Sequence, residues 1–186
     1  MVSEVETHLV MSPHAKQNIE IETNYDVKAV ESLADIVHGY RDQAAPISSG
    51  SFRTDGMIVA PCSMKTLSAI VHSFADSLLI RSADVVLKEC RRLVLMPRES
   101  PLHVGHCKLL YEAAQLGAVI APPMPAFYNQ PESIDDQVNH SVGRALDLFD
   151  IDPGVVKRWQ GKHPANEHSA KPGNGRLSHD RSPAFT

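Results

Sequence analysis

The sequence lacks any hydrophobic run of the roughly 18 residues that a transmembrane helix needs. Its first residues, MVSEVE, are acidic. They offer neither the basic start and apolar core of a secretory signal nor the arginines of a mitochondrial presequence. We therefore expect a protein of the cytosol with no membrane partner. A mitochondrial location would require a longer form that carries a presequence.

The chain also lacks an excess of positive charge and a paired set of cysteines. It has 18 Lys and Arg against 22 Asp and Glu, which gives a net charge of -4. This balance argues against nucleic acid as a partner, although cationic side chains can still form a local anion site. Three cysteines are an odd number and predict thiols in a reducing compartment, without a disulfide framework.

Short apolar segments alternating with helical patterns dominate the part of the chain up to residue 160. This alternation predicts one α/β domain over residues 1–160, with a three-layer, flavodoxin- or Rossmann-like parallel sheet and helices on both faces. Residues 161–186 are polar and predict a disordered tail. The expected strands are 5–11, 57–60, 93–96 and 118–120, and the expected helices are 13–22, 27–37, 64–72, 80–89, 105–115 and 133–149.

Ligands of such sheets bind beyond the carboxyl ends of the strands. Four segments follow predicted strands directly, namely Ser12 and residues 61–66, 97–102 and 122–128. Ser12 also precedes Pro13, a combination typical of a helix start. Functional side chains are therefore expected in these segments.

The turn formed by Ser63, Met64, Lys65 and Thr66 lies where a predicted strand passes into a helix. Free amides at a helix start, two hydroxyls and a lysine can hold an anion or a heterocycle. The same residues can equally be an ordinary helix cap. Both interpretations stay open at this level.

Arg98 and Glu99 lie between Pro97 and Pro101, directly after a predicted strand. Arginine can hold a phosphate with two parallel hydrogen bonds, and glutamate can carry a proton. The alternative is a structural salt bridge within the loop.

Several other charged or polar side chains have an ambiguous pattern. Arg81, Asp84 and Lys88 recur at helical spacing, as on a solvated helix with ion pairs, although apolar neighbours also allow an interface lysine. Tyr128 and Arg144 fit either packing or ligand contact. His103, His106 and Cys107 do not have the spacing of a recognised metal site, so we predict no metal.

Longer motifs then resemble those of the UbiX flavin prenyltransferases, including relatives once called phenylacrylic acid decarboxylases. The resemblance extends from Val5 to about Gly161 in unbroken order. The motifs are GSFRTDGM at 50–57, PCSMKT at 61–66, Arg81 followed by ADVVLKE at 83–89, PRE at 97–99 and PPMPAFY at 122–128.

The resemblance implies an enzyme that joins a dimethylallyl group from dimethylallyl monophosphate to N5 and C6 of reduced FMN. The prenylated FMN would serve UbiD-type decarboxylases, no metal would be used, and the chain would form a homo-oligomer, expected to be a dodecamer.

Roles for particular residues follow from the same resemblance. Glu99 would assist proton transfer, Glu22 would lie near the flavin, and Lys88 would join them as a catalytic residue. FMN would be held by Ser12, Ser63, Met64, Lys65, Thr66 and Arg98, and the prenyl phosphate by Arg81, Lys88, Tyr128 and Arg144.

Family members begin with a strand, a glycine- and serine-rich loop and a helix ahead of the segment that matches Val5. We expect this chain to lack that unit, and therefore to bind FMN weakly and turn over poorly. Residues 48–51 would then be what remains of the flavin cradle. The alternative function is that of a truncated, non-catalytic FMN-binding subunit or a partner of an aromatic acid decarboxylase.

Overall fold

The structure is a computed structural model that describes residues 5–159 and residue 161. The predicted disordered tail lies outside these residues apart from Gly161. The elements in chain order are β1 (His8–Val10), α1 (Pro13–Glu22), α2 (Val27–Glu31), β2 (Ile36–His38), a 3-10 turn (Pro46–Ser48), β3 (Gly56–Cys62), α3 (Met64–Val71), α4 (Leu78–Lys88), β4 (Arg92–Pro97), α5 (Val104–Gln115), β5 (Val119–Ile120), a second 3-10 turn (Phe127–Asn129) and α6 (Ile134–Asp147).

All strand pairs are parallel, as predicted, and they form two ladders. One ladder has the order β1-β2 and the other has the order β3-β4-β5. Among the described residues, β1 and β3 each keep one edge without a strand partner. The predicted α/β class is confirmed, with the strands divided between two small sheets.

The helix predicted over residues 27–37 is wrong in its second half. Helix α2 ends at Glu31, and Ile36–His38 forms β2. The cause is local. The amide and hydroxyl of Thr7 both donate to Asp35 Oδ2 at 2.7 Å, and the amide of Ile36 donates to Thr7 O at 3.0 Å. This pairing, 28 residues apart in sequence, leaves no trace in the helical spacing of the segment.

Strand β4 is the centre of the core. Its residues from Leu93 to Pro97 are all buried, because helices cover both faces of the sheet. Leu93 and Leu95 face a cluster built by α3, α4 and α5, whereas Val94 and Met96 face Ala145 of α6. The predicted three-layer arrangement is therefore observed around this strand.

Serine caps set the directions in which helices leave the strands. The hydroxyl oxygens of Ser12, Ser63 and Ser133 each accept a hydrogen bond from an amide in the first turn of the following helix. Ser12 and Ser63 come just after β1 and β3, so two helices start at the carboxyl ends of strands. None of the helices in the described part of the chain is long and apolar enough to cross a membrane.

Candidate functional site

The turn after β3 caps helix α3 and also leaves backbone amides that can bind an anion. Ser63 Oγ accepts a hydrogen bond from the amide of Thr66 at 3.2 Å and donates one to Thr66 Oγ1 at 3.1 Å. The amides of Met64 and Lys65 at this helix start have no partner within the helix. The cap interpretation is therefore correct, and it leaves amides available to an anion. Lys65 is exposed beside them.

Cys62, directly before this turn, is fully buried. Burial raises the pKa of its thiol to about 12. The thiol therefore stays protonated and is a packing group rather than a nucleophile.

Arg98 pairs with Glu22 and not with its neighbour Glu99. Its two terminal nitrogens lie 3.1 and 3.3 Å from the two carboxylate oxygens of Glu22, the last residue of α1. These hydrogen bonds raise the pKa of the Arg98 guanidinium. Glu99 is exposed and accepts only a hydrogen bond from the amide of Ser100, at 3.3 Å. The salt bridge that was the alternative within the loop is not formed, and the two candidates Arg98 and Glu22 are brought together.

Arg81 and Lys88 of α4 lie beside the loop of residues 48–52. Arg81 donates to Ser48 O at 3.1 Å and to Asp84 at 2.9 Å. Lys88 forms an ion pair with Glu89, whose pKa is lowered by this contact. Both cations therefore already have partners within one chain.

Gly50 brings the same loop close to α4. A Cβ at Gly50 would lie 2.1 Å from Glu89 Oε1 and 2.7 Å from Lys88 Nζ. A Cβ there would require the flexible ends of the Lys88 and Glu89 side chains to move. The loop predicted to be on the flavin side is thus held directly against the lysine predicted to be catalytic.

Arg91 is a residue that the sequence did not single out. Its guanidinium donates to Phe52 O at 2.8 Å and to Gly50 O at 2.7 Å. Both carbonyl groups belong to the loop of residues 48–52. Backbone carbonyls have no sequence signature, so only the folded chain reveals this anchor. Arg91 fixes the loop that Arg81 and Lys88 border.

Tyr128 and Arg144 belong to a third group, formed by the second 3-10 turn, α6 and the segment after α6. The Tyr128 hydroxyl lies 3.2 Å from His140 Nε2, and its ring meets Trp159 edge-on at 6.2 Å. Tyr128 and Trp159 line an open cleft of about 590 Å³, together with Lys157 and Arg158. The ligand-contact interpretation of Tyr128 therefore has a cavity to support it.

Asp147 holds the basic side chains of this group. It pairs with Arg144 and, at 2.8 Å, with Arg158. The hydrogen bond from Arg158 is the main cause that lowers the pKa of Asp147. Arg158 also pairs with Asp152 at 3.0 Å, which fixes the segment next to Trp159.

Apart from Glu99 and the two helix starts at Ser12 and Ser63, the candidates fall into three groups within one chain, and no side-chain hydrogen bond or ion pair between described residues joins one group to another. They are the pair of Arg98 and Glu22, the α4 group with Arg81 and Lys88, and the α6 group with Tyr128 and Arg144. The rings of His103 and His106 stack at 3.6 Å between centroids. No cluster of three or more metal-ligating side chains occurs in the part of the chain that the structure describes.

Comparison with known proteins agrees with the resemblance. The family model described as Flavoprotein matches residues 1–140. The flavin prenyltransferase UbiX of Escherichia coli strain K12 is 56% identical over 162 residues, which are 86% of each chain.

Two solved structures are similar over almost the same span. A crystal structure of AnUbiX (PadA1) in complex with FMN and dimethylallyl pyrophosphate has a TM-score of 0.84 and 57% identity, and the match covers 86% of this chain and 85% of that one. A dodecameric, FMN-dependent UbiX-like decarboxylase from Escherichia coli O157:H7 has a TM-score of 0.83 and 57% identity, with 86% of each chain covered. The chain therefore belongs to the flavoprotein family that includes the flavin prenyltransferase UbiX.

Proposed function

We propose that this chain is a flavin prenyltransferase that transfers a dimethylallyl group from dimethylallyl monophosphate to reduced FMN. The observation that carries the proposal is the 57% identity and TM-score of 0.84 to a structure that holds FMN and a dimethylallyl phosphate ester. Membership of the flavoprotein family supports FMN as the cofactor. The product would be prenylated FMN.

The carboxyl ends of β1, β3 and β4 offer the donors that FMN requires. Free amides and hydroxyls at two helix starts suit an anion or a polar ring edge, and the Arg98 guanidinium suits a phosphate or carbonyl oxygens. The residues present therefore fit the group. Those that we propose to hold it are Ser12, Ser63, Met64, Lys65, Thr66 and Arg98.

We propose that the prenyl phosphate is bound by residues of more than one subunit. Arg81 and Lys88 lie in one group and Tyr128 and Arg144 in another, and a homologous structure is dodecameric. A homo-oligomer of this kind could bring the α4 group of one copy to the α6 group of the next. Such an assembly would account for the basic side chains of the two groups, which lie apart within a single chain.

The chemistry assigned to these side chains is electrostatic. Reduced FMN, when bound, supplies the nucleophilic N5 and C6 atoms. As the allylic C–O bond breaks, negative charge grows on the phosphate oxygens, and Lys88, Arg144 and the Tyr128 hydroxyl stabilise it. The Glu99 carboxylate would assist proton transfer as the phosphate leaves. Trp159 shields the allyl cation from water.

Glu22 is the second carboxylate of the site. Its pairing with Arg98 places it at the carboxyl end of β4, next to the proposed flavin position. There its carboxylate oxygens could accept a proton. We further propose that a UbiD-type decarboxylase receives the product, and that the reaction takes place in the cytosol.

Anaerobic incubation of the purified chain with FMN, a reductant and dimethylallyl monophosphate tests the proposal. We expect a flavin whose mass has increased by one dimethylallyl unit. In Lys88→Met the rate falls on the order of 10²-fold, because a fixed positive charge opposite the leaving phosphate is lost. Lys108→Met is the matched control, since Lys108 is exposed and only faces Glu112 at 3.5 Å.

Other outcomes would contradict the proposal. A chain that binds FMN tightly but makes no prenylated flavin with either the monophosphate or the pyrophosphate is not a prenyltransferase. Co-purification with an aromatic acid decarboxylase without prenyl transfer would favour the non-catalytic alternative. A titration of the purified chain with FMN, followed by flavin fluorescence, tests the expected weak binding.

A further inference from the structure

His140 of α6 is a buried polar side chain next to the proposed phosphate site. Only 8% of its surface is exposed. Both ring nitrogens have partners, because Nε2 lies 3.2 Å from the Tyr128 hydroxyl and Nδ1 lies 3.2 Å from Asn129 Nδ2. The rings of His140 and Tyr128 meet edge to face, at 5.8 Å and 83°. The histidine is thus fixed in place on two sides.

The Asn129 amide decides which nitrogen of His140 carries the proton. An amide nitrogen only donates, so Nδ1 of the histidine must accept. The neutral ring then carries its hydrogen on Nε2, and Nε2 donates to the Tyr128 oxygen. The present orientation leaves the buried carbonyl oxygen and one N–H of Asn129 without a partner among the described residues, whereas the reversed amide would leave both N–H groups without one. Unpaired buried N–H groups are the rarer case.

The consequence for Tyr128 is a fixed direction of hydrogen bonding. Its oxygen accepts from His140, so its own O–H remains free to donate to something else. Tyr128 is 59% exposed and borders the cleft that also contains Lys157 and Arg158. A phosphate oxygen is an acceptor and matches a donor at this position.

We propose that His140, oriented by Asn129, is a positioning residue that keeps the Tyr128 hydroxyl as a hydrogen-bond donor toward the phosphate of the allylic substrate. This inference rests on the proposed function, because it assumes that Tyr128 contacts that phosphate. It adds two residues that determine what Tyr128 can do, the buried His140 and Asn129, which also lines the cleft. The sequence pattern gave no reason to select either one.

Asn129→Asp reverses the hydrogen bonds without removing a ring. A carboxylate only accepts, so Nδ1 of neutral His140 must donate to it, and Nε2 then accepts the Tyr128 proton. We expect kcat/KM for dimethylallyl monophosphate to fall about tenfold at alkaline pH, as in Tyr128→Phe, because a hydrogen bond to a charged group is lost.

A purely structural role of His140 predicts a different pattern. In our proposal, His140→Phe loses about tenfold in kcat/KM, His140→Gln recovers most of this loss because its amide can donate, and His140→Phe has no further effect in a Tyr128→Phe background. Equal losses in both backgrounds would show that His140 and Tyr128 act independently, and would overturn the inference. So would an Asn129→Asp variant with the kcat/KM of the wild type at alkaline pH.

The position of the proton can also be measured without any activity. Nitrogen-15 NMR of the histidine-labelled chain distinguishes the two neutral tautomers, and the His140 signals are those lost in His140→Gln. We expect Nε2–H in the wild type and Nδ1–H in Asn129→Asp at alkaline pH. Nδ1–H in the wild type would overturn the inference and leave the proposed function standing. Absence of prenyl transfer with Nε2–H present would overturn the function instead.

Discussion

The region of residues 7–40 and the region of residues 56–120 are built on the same strand-and-helix pattern but are buried very differently. In the first region neither α1 nor α2 has a single buried residue, and β2 is mostly exposed. In the second, β4 is buried over five of its six residues, and α4 contributes six buried residues to the core. The second region therefore supplies most of the stability of the isolated chain, and the first depends on specific polar contacts.

Those contacts are few and identifiable. The Glu22–Arg98 ion pair and the hydrogen bond from the Leu78 amide to Tyr40 O, at 2.9 Å, connect the first region to the second. A small cluster around Leu78 adds apolar contact with Val10. The first region is thus attached by a handful of interactions, whereas the second is held by a continuous core.

Leu95→Ala has the largest expected effect on this comparison. Leu95 is fully buried in β4, and removing its side chain leaves a cavity between three helices. We expect the free energy of unfolding to fall by about 2–5 kcal/mol, measured by denaturant titration. Leu33→Ala in the first region is the control, since Leu33 is 83% exposed, and its effect should stay within about 0.5 kcal/mol. Equal losses would erase the difference between the regions.

Gly143→Ala is expected to have an intermediate effect, at the contact between α6 and the segment after it. A Cβ at Gly143 would lie 2.1 Å from Val156 Cγ2. Overpacking should cost about 1–3 kcal/mol and displace the segment that carries Trp159. The single tryptophan reports this directly, through a red shift of its fluorescence.

A glycine of the first region provides the matched control for that substitution. A Cβ at Gly39 would lie 3.6 Å from Asp42 Cβ, an ordinary contact. Gly39→Ala should therefore leave both stability and fluorescence nearly unchanged. A Trp159 spectrum that is identical in Gly143→Ala and the wild type would contradict the close contact of α6 with Val156.

The smallest expected effect concerns pH. The pKa of Asp147 is lowered from its ordinary value of 3.8, mainly by the hydrogen bond from Arg158. The ion pairs of Asp147 therefore stabilise the fold above the unfolded pKa, and this contribution is lost as the pH falls through the lower, folded pKa. The Trp159 emission of the wild type should change in that acidic window.

Substitution of the carboxylate separates this effect from general acid denaturation. Asp147→Asn should show the altered emission already at neutral pH, with no further step below about pH 4. Asp150→Asn is the control, because Asp150 makes no side-chain hydrogen bond or ion pair with the described residues. Acid steps that are the same in all three proteins would exclude Asp147 as their source.

The sequence predicted the second region better than the first for a physical reason. Strands such as β4 are buried on both faces, so their continuous apolar runs are visible in the sequence. Strand β2 has the sequence Ile-Val-His and follows a short helix. It pairs with β1, and a hydrogen bond between Thr7 and Asp35 lies next to this pairing. Because that pairing depends on residues that are distant in sequence, the apolar spacing of residues 27–37 wrongly predicted one continuous helix.

The candidate site was predictable where a motif follows a strand. Arg98, Glu99 and the turn at Ser63 were found in this way, and the structure brings Arg98 to Glu22. The roles proposed for these residues stay predictions. Arg91 and His140 could not be found from the sequence. Arg91 binds backbone carbonyls, which have no sequence signature, and the proposed role of His140 depends on its hydrogen bond to Tyr128 in the folded chain.

Because Arg98 donates two hydrogen bonds to Glu22, a ligand at the carboxyl end of β4 must compete with Glu22 for the guanidinium. Both terminal nitrogens of the arginine are already engaged by a carboxylate that is tethered in the same chain and cannot be diluted away. An anion with one accessible oxygen replaces only half of that arrangement, whereas a ligand that presents two acceptors can replace all of it. Small monodentate anions are thus discriminated against by the protein's own side chain, even while the guanidinium remains open to solvent.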